Sequence, residues 1–304
     1  MGGPLHAGEI PVDESLVRRL TAASRPEWAA LDVEPSASSG STNALFRLGA
    51  DLLVRLPRLV GGSAAIDKEA LWLPRLAPHL PVAVPEVVMV GEPAFGYPER
   101  WSVVRWIDGE VAAGGGGDDL ARDLADLVTA LQMAEVPADA SADLSLQWYR
   151  GEPLALFDPV VRAAFEACRA IPDLDVDLDR ALAVWRDAMT LPGADNRPAP
   201  RWYHGDLLAE NILLKDGRLE AALDFGGLGV GDPTVDLIVA WELLDPAART
   251  TFRDAVGVDE ATWLRGRAWA LGLAVNTFPY YWHSMPARCA TRRSIVRAVL
   301  ADFD

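Results

Sequence analysis

The residues best suited to chemistry stand in one stretch: His204-Gly205-Asp206-Leu207-Leu208-Ala209-Glu210-Asn211, then Ile212-Leu213-Leu214, then Leu223-Asp224-Phe225-Gly226. A loop of this kind presents one carboxylate, Asp206, to an incoming hydroxyl and turns an amide oxygen, that of Asn211, toward a metal. A short hairpin then returns a second carboxylate, Asp224, to the same metal from the other side. Magnesium takes hard oxygen ligands and keeps several waters, so one carboxylate, one amide and substrate phosphates suffice. The chemistry that such a set serves is phosphoryl transfer, with Asp206 orienting and deprotonating the acceptor.

The elements that must position these groups are legible around them. Ala44–Leu48 and Leu52–Leu56 read as two strands about the turn Gly49-Ala50-Asp51. Residues 64–77 have helical spacing, and strands are predicted at 86–91 and 101–107. Beyond Asp108-Gly109 and the run Gly114–Gly117 the pattern turns helical, at 118–134, 158–170, 177–190, 233–244, 246–256, 259–277 and 287–301. Only 201–225 breaks it with short strands. The expected fold class is α+β: a small antiparallel-sheet lobe over residues 1–107 and a larger, mostly helical lobe over 108–304.

The order His-Gly-Asp-Leu-x-x-x-Asn, then Asp-Phe-Gly, then Gly231-Asp232-Pro233 and Asp236, resembles the aminoglycoside phosphotransferase superfamily. That family includes macrolide, choline and homoserine kinases and has a protein-kinase-like fold. The resemblance implies ATP as donor and Mg2+ as cofactor, with GTP use also occurring in the family. It implies that Asp206 is the catalytic carboxylate, that Asn211 and Asp224 bind magnesium, and that His204, placed with Asp206 in the catalytic loop, braces that loop together with Asp236.

In the N-terminal lobe, Ser38-Ser39-Gly40-Ser41-Thr42-Asn43 stands where the family places a small-residue loop over the ATP phosphates, so Ser39, Gly40, Ser41 and Asn43 are candidate nucleotide ligands. Where kinases carry a lysine on the third strand, this chain has Arg55, with Glu69 fourteen residues later on the following helix. Arginine binds phosphate but is larger and planar. Lys68, beside Glu69, is a poorer candidate. Arg105, Trp106 and Ile107 resemble the hinge strand whose backbone binds adenine.

Composition narrows the acceptor. The formal net charge is −16; residues 1–108 carry 10 basic and 13 acidic groups, the remainder 18 and 31. A polyanion such as nucleic acid would be repelled, and a cationic small molecule drawn to the C-terminal portion. No apolar run approaches a membrane span, and the N-terminus lacks the features of a signal peptide, so the expected location is the cytoplasm. Cys168 and Cys289 are expected as buried free thiols. Asp173, Asp175, Asp177, Asp179, Asp302 and Asp304 could pair ammonium groups, although Asp before a helix is also a cap. Trp263, Trp269, Phe278, Tyr280, Tyr281 and Trp282 could wall a bulky acceptor or simply pack helices. Only Gly227-Leu228-Gly229-Val230 separates the Asp-Phe-Gly from Gly231-Asp232-Pro233, too short for the activation segment of a protein kinase.

The leading expectation is therefore a kinase of aminoglycoside-type antibiotics, a resistance enzyme, with a macrolide or metabolite kinase as the alternative. A nucleotide-binding regulator without catalysis is the competing class; the presence of Asp206, Asn211 and Asp224 argues against it.

Overall fold

The computed structural model describes residues 6–36 and 42–303. The chain divides into two compact units, one of residues 1–78 and 83–108, the other of residues 79–82 and 109–304.

The first unit begins with α1 (Glu14–Ser24), whose N-terminus is capped by the Asp13 carboxylate accepting from the Leu16 N–H at 2.8 Å. Strands β1 (Val33–Pro35), β2 (Asn43–Leu48) and β3 (Leu52–Pro57) follow, then helix α2 (Ser63–Leu76) and strands β4 (Val87–Gly91) and β5 (Trp101–Arg105). All pairings are antiparallel, in the order β1-β2-β3-β5-β4. Alternation along β2 buries Ala44, Phe46 and Leu48, which join Val17, Leu20, Val54, Leu56, Trp101 and Val103 in one core. The turn between β2 and β3 needs Gly49, whose φ of +59° is left-handed.

Helix α2 has no side-chain cap of its own. Glu99, just before β5, supplies one: its carboxylate accepts from the Gly61 N–H at 2.9 Å and the Ser63 N–H at 2.8 Å. A carboxylate there also meets the positive end of the helix dipole. The Ser63 hydroxyl and these N–H groups hold the Glu99 carboxyl below its ordinary range, against the effect of burial.

The second unit opens with β6 (Glu110–Val111), α3 (Asp118–Met133) and the short α4 (Ala138–Ala142), then α5 (Leu154–Cys168) and α6 (Leu178–Ala188). After β7 (Arg201–Tyr203) come β8 (Ile212–Lys215), β9 (Arg218–Ala222) and β10 (Gly229–Gly231). Helices α7 (Val239–Leu243), α8 (Pro246–Val256), α9 (Glu260–Tyr281) and α10 (Pro286–Ala301) complete it. Strands β8 and β9 form a hairpin about Asp216-Gly217, both at positive φ as a tight two-residue turn requires, and β6 extends it. Strand β10 pairs separately with β7. Phe157 stacks on Trp269 with centroids 5.2 Å apart and meets Trp185 edge-on, all three buried.

Differences from the predicted elements are local. Helix α5 starts at Leu154, ahead of the expected 158, and carries Pro159 inside it. The stretch read as one helix over 233–244 is a 3-10 turn, Pro233–Ile238, followed by α7. Strands β1, β6 and β10 escape a periodicity argument because each has three residues or fewer. Trp263, Trp269 and Phe278 are buried in helix packing, while Tyr280 is exposed. Both cysteines are buried and unbridged, and burial pushes the Cys168 thiol up to about 12. Among the described residues no helix is long and apolar enough to cross a membrane.

Candidate active site

Strand β7 delivers the chain into the loop His204–Asn211, and the β8–β9 hairpin returns it to Asp224. The loop is fixed from below by Asp236. One of its oxygens accepts from the His204 N–H at 2.7 Å and the other from the Gly205 N–H at 2.8 Å. Asp236 is 1% exposed. Burial pushes its carboxyl above the ordinary range, against the two N–H groups and the nearby His204.

His204 is fully buried, and both of its ring nitrogens are engaged. Nδ1 accepts from the Asp206 N–H at 3.1 Å, and Nε2 lies 2.9 Å from the Leu223 carbonyl oxygen. The tautomer with its proton on Nε2 satisfies both contacts. The imidazole thus ties the residue before Asp224 to the backbone of Asp206.

The two loops meet backbone to backbone. Gly205 has φ +81°, and a Cβ there would fall 2.5 Å from the Gly227 carbonyl oxygen. A Cβ on Gly227 would fall 2.9 Å from the His204 carbonyl oxygen. Both glycines are therefore required by close approach, and Gly205 by its conformation as well. Asp224 itself adopts φ 56° and ψ 67°, an uncommon left-handed position for a non-glycine residue.

Asn211 and Asp206 are in direct contact. The Asn211 amide donates to the Asp206 main-chain oxygen at 2.9 Å and to its Oδ2 at 3.2 Å. With its N–H groups so used, the Asn211 side chain offers its oxygen to a cation. That oxygen and the Asp224 carboxylate are hard donors of the kind magnesium takes, and they fit it. Among the described residues no group of three or more His, Cys, Asp or Glu could hold a metal, which a site completed by phosphates and water does not require.

Four side chains around this loop have no signature in the sequence. Arg150, in the segment before α5, forms an ion pair with Asp206 and donates to the Gly205 carbonyl oxygen at 2.6 Å. Burial acts to raise the Asp206 carboxyl, but the Arg150 charge and hydrogen bond, with His204 and Arg292, bring it below the ordinary range. Glu242 of α7, 8% exposed, accepts from the Ala209 N–H at 3.0 Å and pairs with Arg292 of α10. Arg292 and Arg288 also reach Glu210, at 3.1 Å and 2.8 Å.

In the other unit, Arg55 and Glu69 form a buried two-point ion pair, and the Arg55 Nε donates to the Ser102 hydroxyl at 3.1 Å. Lys68 is also buried. At the end of β5, the Arg105 and Trp106 N–H groups are taken by the carbonyl oxygens of Glu86 and Asp51, at 3.0 Å and 2.9 Å. Ile107 follows, half-buried. Asn43 begins β2, opposite Pro57. Ser39, Gly40 and Ser41 lie outside the described residues.

Four of the six carboxylates considered for ammonium groups have partners, while Asp173 is exposed and Asp304 lies outside the described residues. Asp175 pairs with Arg297, Asp179 with Arg169 at 2.7 Å and Asp302 with Arg249 at 2.8 Å. Asp177 caps α6 by accepting from the Arg180 N–H at 3.0 Å.

A search of the curated proteins finds no match to this chain. Among solved structures, aminoglycoside 2'-phosphotransferase-IIIa in its GDP complex is similar at 19% identity and a TM-score of 0.74, over 96% of this chain and 100% of that one. The GDP and kanamycin complex of APH(2")-IIia gives 21% and 0.69, over 95% and 98%. Macrolide 2'-phosphotransferase from Brachybacterium faecium gives 18% and 0.65, over 93% and 98%. The α+β, kinase-like fold expected from the sequence is the fold of these enzymes. The model of the phosphotransferase enzyme family (APH) matches residues 35–269, which span the Arg55–Glu69 pair and the whole loop from His204 to Asp236. The chain belongs to the phosphotransferase enzyme family.

Proposed function

We propose that this protein is a small-molecule kinase that transfers the γ-phosphoryl group of ATP to a hydroxyl of its acceptor, with magnesium as cofactor. The observation that carries this reading is the bracing of Asp206: Asn211 on its carboxylate, His204 on its N–H, and Asp236 under the two residues before it. Phosphoryl transfer asks mainly for positioning and electrostatics, and this loop is built for positioning.

Asp206 accepts the hydrogen bond of the incoming hydroxyl and aligns its oxygen for in-line attack. Magnesium, held by Asn211 and Asp224, would offset the negative charge of the transferring group. Arg55, kept in place by Glu69 and Ser102, is the phosphate ligand that the first unit offers. Ser39, Gly40, Ser41 and Asn43 would cover the phosphates. With the Arg105 and Trp106 N–H groups engaged, an adenine would use the Ile107 N–H or the carbonyl oxygens of this strand end. GDP and ADP complexes among the similar structures support a purine nucleotide as donor, and leave ATP and GTP both to be tried.

For the acceptor, the similar structures are named for aminoglycosides and macrolides, so a hydroxyl-bearing antibiotic is the first class to test, and phosphorylation would make this a resistance enzyme. The aminoglycoside expectation rested on the net negative charge of the C-terminal portion, which stands; of the carboxylates named with it, Asp175, Asp179 and Asp302 pair with arginine and Asp177 caps a helix. That observation favours the second reading, an acceptor of lower charge. A coupled assay of ADP and GDP release against aminoglycosides, macrolides, choline and homoserine tests the proposal. Acceptor-stimulated release supports it; tight nucleotide binding without stimulation by any acceptor favours a non-catalytic regulator.

A further inference from the structure

Arg150 is not a loosely held surface charge. Its side chain is 15% exposed, pairs with Asp206 Oδ1, and donates to the Gly205 carbonyl oxygen at 2.6 Å. Its Nε donates to the Tyr149 hydroxyl at 3.0 Å, and its guanidinium carbon lies 4.5 Å from the Trp148 ring centroid and 5.6 Å from that of Tyr149. The segment is anchored in turn: the Gly151 carbonyl accepts from the Asp232 N–H at 2.8 Å, and the Trp148 carbonyl from the Tyr203 hydroxyl at 3.4 Å. The Trp148 ring and the Asp206 Cβ flank Gly227 together, approaching a Cβ built there to 3.0 Å and 3.4 Å. Trp148, Tyr149 and Arg150 thus stand beside the carboxylate that receives the acceptor.

Both oxygens of that carboxylate are occupied, Oδ1 by Arg150 and Oδ2 by Asn211. A hydroxyl needs only a remaining lone pair there. An ammonium needs the charge, and the charge is already balanced. It would lose hydration on entering and recover little in return. We infer that Arg150 is a specificity-determining residue that restricts the acceptor to molecules with no ammonium group next to the reacting hydroxyl, their ring faces lying against Trp148 and Tyr149. This rests on the kinase reading above and names the chemical class of its acceptor.

The test uses matched acceptors that differ in charge: kanamycin against its fully N-acetylated derivative, and glucosamine against N-acetylglucosamine, with the intact enzyme and labelled nucleotide. The wild type is expected to favour the acetylated partner in kcat/KM by about tenfold or more, the scale of one uncompensated charge contact. Arg150→Gln is expected to shift that ratio toward the amines by a similar factor, and Arg150→Lys to restore it; thermal melting shows that each variant is folded. Preference of the wild type for the amines overturns the inference and leaves the kinase standing, as does an unchanged ratio in a folded Arg150→Gln. Absence of transfer to any acceptor, with no nucleotide hydrolysis above that of Asp206→Asn, defeats the kinase reading and the inference with it.

Discussion

Asp236 holds the backbone of His204: one carboxylate oxygen lies 2.7 Å from its N–H, and the other lies 2.8 Å from the N–H of the next residue, Gly205. Replacing either oxygen by a donor sets an amide N–H against a backbone N–H. Asp236→Asn is therefore expected to lower kcat by about tenfold or more and stability by about 1–3 kcal/mol, the cost of a buried group left unsatisfied. Steady-state kinetics and denaturant melts check it; wild-type behaviour in both would mean that the brace is dispensable.

Gly205 shows the same loop from the other side. With φ +81° and the Gly227 carbonyl oxygen 2.5 Å from the place of a Cβ, alanine there forces two backbones apart. Gly205→Ala is expected to cost about 2 kcal/mol or more and to reduce turnover with it. Gly217, also at positive φ but with open space around it, is the control: alanine there meets strain alone. Equal loss at the two sites would remove the argument from close approach.

The Arg55–Glu69 pair separates structural from binding roles. Its side chains are 8% and 3% exposed, so removing one partner strands a buried charge. Glu69→Ala is expected to lose about 3–5 kcal/mol, and the double variant Arg55→Met with Glu69→Leu to recover much of it. Only nucleotide affinity should stay impaired in the double variant. Full recovery of affinity, read by calorimetric titration, would show that Arg55 holds no phosphate.

Glu99 predicts a pH dependence. Its carboxyl is lowered in the folded chain by the Ser63 hydroxyl and the N–H groups of Gly61 and Ser63. A lowered acid contributes stability that is fully present above its unfolded value, near 4.5, and is lost as pH falls through the folded one. At neutral pH Glu99→Gln is expected to cost about 1 kcal/mol, the scale of a helix cap. The difference from wild type should shrink as pH drops below 4.5. A difference that is constant with pH would mean that charge plays no part in the cap.

How much of this was legible in the sequence follows from distance along the chain. Asp206, Asn211 and Asp224 lie within twenty residues, so the loop and the short strands about it read directly. The step from Arg55 to Glu69 could be read only through the resemblance, which sets a cation on the third strand against a glutamate of the following helix. Arg150, Glu242 and Arg292 could not: they reach the loop across 56, 33 and 82 residues, and each is an ordinary residue in its own helix or turn. The acidic run 173–179 was legible only as two alternatives, because whether Asp175 meets a ligand or Arg297 is decided by where α10 packs.

The central claim is that Asp206 aligns an acceptor hydroxyl for phosphoryl transfer. The most direct test is transfer of labelled γ-phosphate to an acceptor by wild type and Asp206→Asn, with nucleotide affinity measured in parallel. The account predicts acceptor-dependent transfer by the wild type, a fall of about a thousandfold in the variant, and nucleotide affinity unchanged within a few-fold. Transfer by Asp206→Asn at the wild-type rate would contradict it.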